Sequence, residues 1–179
     1  MSDWRLTAEN TALVVVDVQE KLMAAMTRRT ETITGVQKLL GAAQVLNLPV
    51  VMTAQYVKGL GPVCAEIAGT AAIEKLTFSC CGSVEFVRTV KDLHRQRILL
   101  CGVEAHVCVQ QTAIDLLADG RLVYVCADAI CSRRDLDCQV ALDRMRDCGA
   151  VITTVESAVF ELLRAAGTEQ FKACLPLFK

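Results

Sequence analysis

Three residues of unlike chemistry each stand at the end of an apolar segment. Asp17 closes ALVVVD, Lys75 follows Glu74 in Ala71–Leu76, and Cys108 lies between the run Ile98–Cys101 and a helical stripe. A carboxylate can take the proton of a thiol, and an ammonium group beside it can stabilise the sulfur anion. The resulting thiolate attacks planar carbonyl carbons. Brought to one place by the fold, the three residues compose a nucleophilic acyl-transfer site. In the segment RILLCGVEAHVCVQQTAIDLL at 97–117, Gly102 breaks the apolar run. From Val109 the residues Ala113, Leu116 and Leu117 continue a helical stripe that Gly120 closes. Cys108 therefore falls where a strand hands over to a helix, and the N–H groups of a first helical turn favour a thiolate there. That placement predicts an acidic thiol, whereas most free cysteines are small buried hydrophobes.

The elements that would position these groups follow from hydrophobic period. Ala12–Asp17, Pro49–Ala54, Ala71–Leu76, Ile98–Cys101, Leu122–Ala127 and Ala150–Thr154 read as strands, most of them buried on both faces. Between them lie helical stripes: one after Gln19, then Glu31–Asn47, Val84–Arg95 with Ser83 as cap, and the stripe from Val109. Another follows Ser132 and Asp135, which have the spacing of a helix N-terminal box, and buries Cys138, Ala141, Leu142 and Met145. Ser157–Ala166 and Thr168–Leu175 complete the set, and Gln55–Thr70, with its glycines and proline, reads as a loop. The alternation predicts an α/β fold: a three-layer, doubly wound sheet of about six parallel strands with helices on both faces, in one domain spanning 1–179. In such sheets the ligand crevice lies beyond the carboxyl ends of the strands. Asp17, the Gln55–Thr70 loop, Lys75 and the Gly102–Cys108 turn all fall at that edge.

Composition narrows the function classes. The 179 residues carry a formal net charge of −1, are 53% hydrophobic and only 4% aromatic. Nucleic acid as a partner is disfavoured by the lack of a basic face, and a membrane by the lack of a long apolar run. Neither a dinucleotide fingerprint nor a phosphate-binding P-loop occurs, so no nucleotide cofactor is expected. With ten cysteines in no Cys-x-x-Cys pair and two histidines, a structural zinc site is not expected either. MSDWRLTAEN lacks the pattern of a leader, and the thiols read as reduced, so the chain is expected inside the cell, in cytoplasm or mitochondrial matrix.

The motifs VVVDVQ at 14–19, Glu74–Lys75 followed by Phe78–Ser79, and GVEAHVC at 102–108 resemble the isochorismatase-like (cysteine) hydrolase superfamily. TAQYVKGLG at 53–61 and the Asp128–Arg133 segment resemble its isochorismatase domain-containing branch. The resemblance runs along nearly the whole chain, in order. It implies Asp17 as general base, Lys75 as electrostatic partner and Cys108 as nucleophile. It also implies a cis peptide between Val103 and Glu104, aiming the Glu104 N–H with the Cys108 N–H at an oxyanion. The activity implied is cleavage of a small amide or related C–N bond through a thioester, on a small-molecule substrate, in a homo-oligomer. The nicotinamidase members hold a metal on an aspartate and two histidines beside the second strand. Here that region reads AQYVKGLGPVC, without histidine, so no metal and no cofactor are expected.

Gln19, Tyr56 and Phe78 are candidates to line the substrate pocket, His106 is expected at the surface or the pocket rim, and oxidation could link Cys80 or Cys81 to Cys108. Two other readings are kept: a non-catalytic member that binds small molecules or serves assembly, and a mitochondria-associated ribonuclease, the label some relatives carry.

Overall fold

The computed structural model describes residues 4–179. The leader reading rests in part on residues 1–3, which lie outside the described residues. Six parallel strands form one sheet in the order β3-β2-β1-β4-β5-β6: β1 Thr11–Val16, β2 Val50–Gln55, β3 Ala72–Lys75, β4 Arg97–Val103, β5 Leu122–Cys131 and β6 Val151–Thr153. This is the expected doubly wound α/β sheet. The strand order reverses between β1 and β4, so the crevice beyond their carboxyl ends is the switch point at which such sheets bind ligands.

Strand side chains alternate between two apolar layers, as a pleat buried on both faces requires. Leu13, Val15, Met52, Leu99, Cys101 and Tyr124 enter one layer; Ala12, Val14, Val16, Ile98, Leu100, Val123 and Val125 enter the other. The first layer is covered by α1 (Glu20–Met23), α2 (Arg29–Leu46), α7 (Val155–Leu163) and α8 (Glu169–Cys174). The second is covered by α4 (Val84–Asp92), α5 (Gln110–Ala118) and α6 (Asp135–Asp147). Each fully buried aliphatic side chain contributes about 1.5–3 kcal/mol toward offsetting chain entropy. Ser83, Thr154 and Thr168 cap α4, α7 and α8 through side-chain oxygens that accept from Phe86, Ser157 and Phe171 N–H.

Several local expectations are corrected. Gln55–Thr70 is not a plain loop: it carries the four-residue α3 (Val57–Leu60), a 3₁₀ turn at Ala65–Ile67, and an antiparallel bridge between Gln19 and Val63. Ser132 and Asp135 form no N-terminal box; Arg134 occupies the cap position of α6 without a side-chain bond. The Ser132 hydroxyl instead meets His106 Nδ1 at 2.9 Å, and Asp135 accepts from the Thr27 hydroxyl at 2.9 Å. On α4 the pattern of apolar residues expects Phe86, Val87, Val90 and Leu93 inside; Phe86 and Val90 are buried against the sheet, and Val87 faces solvent. Gly102 does not end its strand. It lies within β4 at φ +112°, and β5 runs on to Cys131 through an irregular register opposite it. Among the described residues no helix is long and apolar enough to cross a membrane.

Candidate active site

Asp17 is the residue after β1. It lies at the edge where β1 meets β4, with a left-handed φ of 50°, a conformation a non-glycine residue keeps only when its surroundings impose it. Its amide bonds the Thr53 carbonyl at 3.2 Å and its own carbonyl receives the Gln19 N–H at 2.8 Å, which fixes the turn. The carboxylate is fully buried, so each oxygen needs a donor. Oδ1 accepts from the Thr53 hydroxyl at 2.8 Å, and Oδ2 accepts from Lys75 Nζ at 2.6 Å.

Lys75 ends β3, which is separated from β1 by β2, and its side chain crosses the end of β2 to reach Asp17. On the way Nζ donates to Gln55 Oε1 at 2.7 Å and lies 3.1 and 3.0 Å from the Thr77 and Phe78 carbonyls. Three ammonium protons thus face four oxygens, which holds Lys75 as a fixed charge rather than a free proton donor. Gln55 Nε2 donates to the Leu76 carbonyl at 2.8 Å, fixing which end of its amide faces the lysine. Gln19 supports this arrangement from behind. Its Oε1 accepts from Gln55 N–H at 2.7 Å, and its Nε2 donates to the Gln55 and Gly61 carbonyls at 3.0 and 2.6 Å. The Gln19 side chain thereby pairs with β2 as a further strand residue would.

Cys108 arrives from the other side of the switch point. The chain leaves β4 through a cis Val103–Glu104 peptide and winds one π turn over Ala105–Val109 before α5 begins. Cys108 is in that wide turn, not in the first turn of an α-helix, and the Glu104 carbonyl receives the N–H groups of Val107 and Val109 at 3.1 and 3.2 Å. The sulfur is nearly buried and lies close enough to Asp17 and Lys75 to feel both charges. The expected acidic thiol is corrected here. Burial first, and then the Asp17 carboxylate, push the Cys108 thiol far above its usual range, outweighing Lys75, which pulls it down. The resting thiol is therefore neutral, beside the Asp17–Lys75 ion pair.

The structure brings Asp17, Lys75 and Cys108 together and sets Glu104 at the start of the turn that bears the sulfur. The Glu104 side chain is buried and clamped by Arg133, whose Nε and Nη2 lie 2.8 and 3.2 Å from its oxygens. Tyr56 and Phe78 extend exposed side chains from the loops after β2 and β3, and Phe78 reaches the lysine through its carbonyl. His106 is half-buried and engaged with Ser132. Among the described residues no group of three His, Cys, Asp or Glu side chains is arranged to hold a metal ion. Sequence reasoning missed Thr53 and Gln55, and it named Cys80 only for an oxidative link to Cys108. The Cys80 sulfur lies 3.6 Å from the Thr53 hydroxyl, and its N–H donates to the Thr112 hydroxyl at 2.9 Å. The first two belong to a strand run whose partners are remote in sequence, and only the register Gln55↔Lys75 brings them to the site.

The family model described as Isochorismatase domain matches residues 11–157. The chain is 39% identical over 183 residues to the secreted isochorismatase effector Isc1 of Phytophthora sojae, covering 98% of this chain and 87% of that one. Among solved structures it is similar to the MAR1 ribonuclease of Caenorhabditis elegans, with TM-score 0.91, 36% identity, and coverage of 97% and 92% of the two chains. It is also similar to the YcaC gene product of Escherichia coli, called an octameric hydrolase of unknown specificity, with TM-score 0.92, 25% identity, and coverage of 99% and 91%. With the sheet, the switch-point site and these matches in agreement, the chain belongs to the isochorismatase-like hydrolase superfamily, in its isochorismatase domain-containing branch.

Proposed function

We propose that this protein is a cysteine hydrolase that cleaves a small amide or related C–N bond through a thioester, without a metal or other cofactor. The observation that carries the reading is the convergence of a nearly buried thiol on a carboxylate whose two oxygens are held by Lys75 and Thr53. In the mechanism, the substrate carbonyl enters beside Cys108 and Asp17 takes the thiol proton as the sulfur attacks. The backbone N–H groups of Glu104 and Cys108 receive the oxyanion, a contribution of about 3–4 kcal/mol for each such donor in a comparable site. Protonated Asp17 then gives its proton to the departing amine, and a water deprotonated by Asp17 clears the thioester. A neutral resting thiol suits this order, because the proton leaves sulfur only when a carbonyl is present to receive the charge. Tyr56 and Phe78 are proposed to contact substrate, and Gln19 to act through Gln55 and the Gly61 turn.

The same structure supports association of identical chains: Leu76, Phe78, Val84 and Val87 expose apolar side chains on and before α4. Light scattering on the purified protein reads this directly, and a monomer at working concentration would remove it.

The test of function is a panel of small primary and secondary amides with released amine measured for wild type and Cys108→Ala. Turnover by wild type that is lost in the variant is expected; turnover that survives Cys108→Ala removes the thioester mechanism. The MAR1 name of the C. elegans structure supports RNA cleavage as the second reading. Salt-sensitive RNA binding, with cleavage lost in Cys108→Ala, would favour it, and an inert chain with an intact pocket would favour the non-catalytic member. A formal net charge of −1 gives RNA no broad electrostatic attraction, so the amidase reading is preferred.

A further inference from the structure

The mechanism above leaves one neighbour of the carboxylate without a role. Cys80 is fully buried in a 3₁₀ turn, Cys80–Gly82, that follows the two carbonyls holding Lys75. Its sulfur lies 3.6 Å from the Thr53 hydroxyl, which itself donates to Asp17 Oδ1 at 2.8 Å. Cys108 reaches the same carboxylate from the β4 side, and the two cysteines belong to one buried cluster and are electrostatic neighbours. Asp17 is thus flanked by two thiols on unconnected segments, 28 residues apart in the chain (108 − 80). They differ in access: Cys108 keeps 5% of its surface and Cys80 none. Cys81 lines a different space, a cavity of about 320 Å³ between α4 and α5 shared with Phe86, Val90 and Leu116, where the Asp115 charge acts on it.

We propose that Cys108 and Cys80 form a hydroperoxide-reactive pair, in which Cys108 is oxidised first and Cys80 captures it as a disulfide. This rests on Cys108 being the reactive thiol of the proposed hydrolase, not on amide turnover itself. In the first step the Cys108 sulfur attacks the distal oxygen of a hydroperoxide and the O–O bond breaks. The thiol proton passes through Asp17 to the departing alkoxide or hydroxide, leaving a sulfenic acid and an alcohol or water. In the second step the Cys80 sulfur attacks the Cys108 sulfur, and the sulfenic hydroxyl leaves with the Cys80 proton as water. Two thiols lose two electrons in all, and the hydroperoxide gains them. The disulfide blocks the nucleophile reversibly and forestalls its conversion to sulfinic acid.

The experiment is exposure of the folded protein to a small excess of hydrogen peroxide, alkylation of remaining thiols, and peptide mass spectrometry without reductant. Trypsin leaves Cys80 and Cys81 in residues 76–88 and Cys108 with Cys101 in residues 98–121. A cross-linked pair of these peptides is expected, abolished by dithiothreitol. The link should survive Cys81→Ser and Cys101→Ala and be lost in Cys80→Ala and Cys80→Ser. In those last two variants Cys108 should gain two oxygens and no longer be rescued by thiol. Absence of the link in wild type, a link that persists without Cys80, or a Cys80–Cys81 bond in its place overturns the proposal. A protein that hydrolyses amides yet forms no link defeats the pair alone; one that forms the link yet releases no amine defeats the hydrolase alone.

Discussion

At the scale of single residues, the site is a problem in charge balance. Lys75 is buried with one anion, the Asp17 carboxylate, and that anion also keeps the Cys108 proton on sulfur. Asp17→Asn removes the negative charge and leaves the ammonium with a thiol as the nearby group able to ionise. An opposite charge at contact distance shifts a thiol by one to three pH units, so iodoacetamide labelling of Cys108 at neutral pH is expected to rise at least about tenfold. Turnover should fall in the same variant, because nothing carries the proton to the leaving amine. Unchanged labelling would mean that Asp17 does not govern the sulfur, and slower labelling that the carboxylate acts on it as a base more than as a repelling charge. Lys75→Met should act in the opposite sense on labelling. It should also lower stability by about 3–5 kcal/mol in urea unfolding, since it leaves the carboxylate buried without its counter-ion. That Asp17, Lys75 and Cys108 share one place was legible in the sequence because the first two stand at the ends of apolar runs and the third where a strand hands over to a helix. Thr53 and Gln55 were not, since Thr in PVVMTAQ reads as ordinary strand and the lysine that gives Gln55 its purpose comes from the next strand. The acidic-thiol expectation failed for a different reason: spacing shows a helix start, but neither how deeply the sulfur is buried nor that the turn carrying it is a π turn.

At the scale of elements, the site depends on how closely β4 approaches the end of β1. A β-carbon on Gly102 would stand 2.1 Å from the Val16 carbonyl oxygen and 2.6 Å from its nitrogen, both backbone atoms that cannot step aside. The positive φ and the close approach act together there. Gly102 is what lets Asp17, one residue past Val16, share a crevice with the turn that carries Cys108. Gly102→Ala is therefore expected to lose well over the roughly 1–2 kcal/mol that a left-handed alanine costs, and with it most turnover. Gly120→Ala supplies the comparison: φ there is +81° but nothing lies within 4 Å, so only the backbone cost of about 1–2 kcal/mol should appear. Equal losses in urea unfolding for the two variants would show that the contact with Val16 does not matter. The sequence marked Gly102 correctly as special and misread why, because a glycine that ends a strand and one that lets two strands meet look alike in one dimension. The extra reach of β5 was hidden in the same way. Its irregular pairing, from Leu100↔Val125 to Gly102↔Ile130, places Ala127 and Asp128 in what reads locally as a turn. The six strands and their alternation with helices were legible because a parallel sheet buried on both faces leaves unbroken aliphatic runs.

At the scale of the whole molecule, a core rich in cysteine carries a consequence beyond the site. All ten cysteines are free, and most lie in the two apolar layers or at the sheet edge. Burial pushes Cys80 up to about 11 and Cys81 up to about 12, and it raises Cys101 and Cys126 on neighbouring strands further still. An unfolded chain ionises these thiols near the usual 9.0, while the folded chain keeps their protons. Above that pH the unfolded state binds fewer protons than the native one, so stability falls as pH rises; below it both states are protonated and the thiols have no effect. Each such thiol contributes a slope of about −1.4 kcal/mol per pH unit between its unfolded and folded values. Urea unfolding under reducing conditions should therefore show a plateau up to about pH 8.5 and a steep decline beyond, with no matching loss from pH 6 to 8. Cys101→Ala isolates one term of that decline. The variant should start less stable at neutral pH, having lost buried volume, yet lose about 1.4 kcal/mol per pH unit less than wild type above pH 9, so that the two curves converge. Parallel curves would mean that the Cys101 thiol ionises inside the folded protein as readily as outside it. That would require water or a cation in the layer between β4 and the helices, and with it a looser core than the alternating burial of these strands describes.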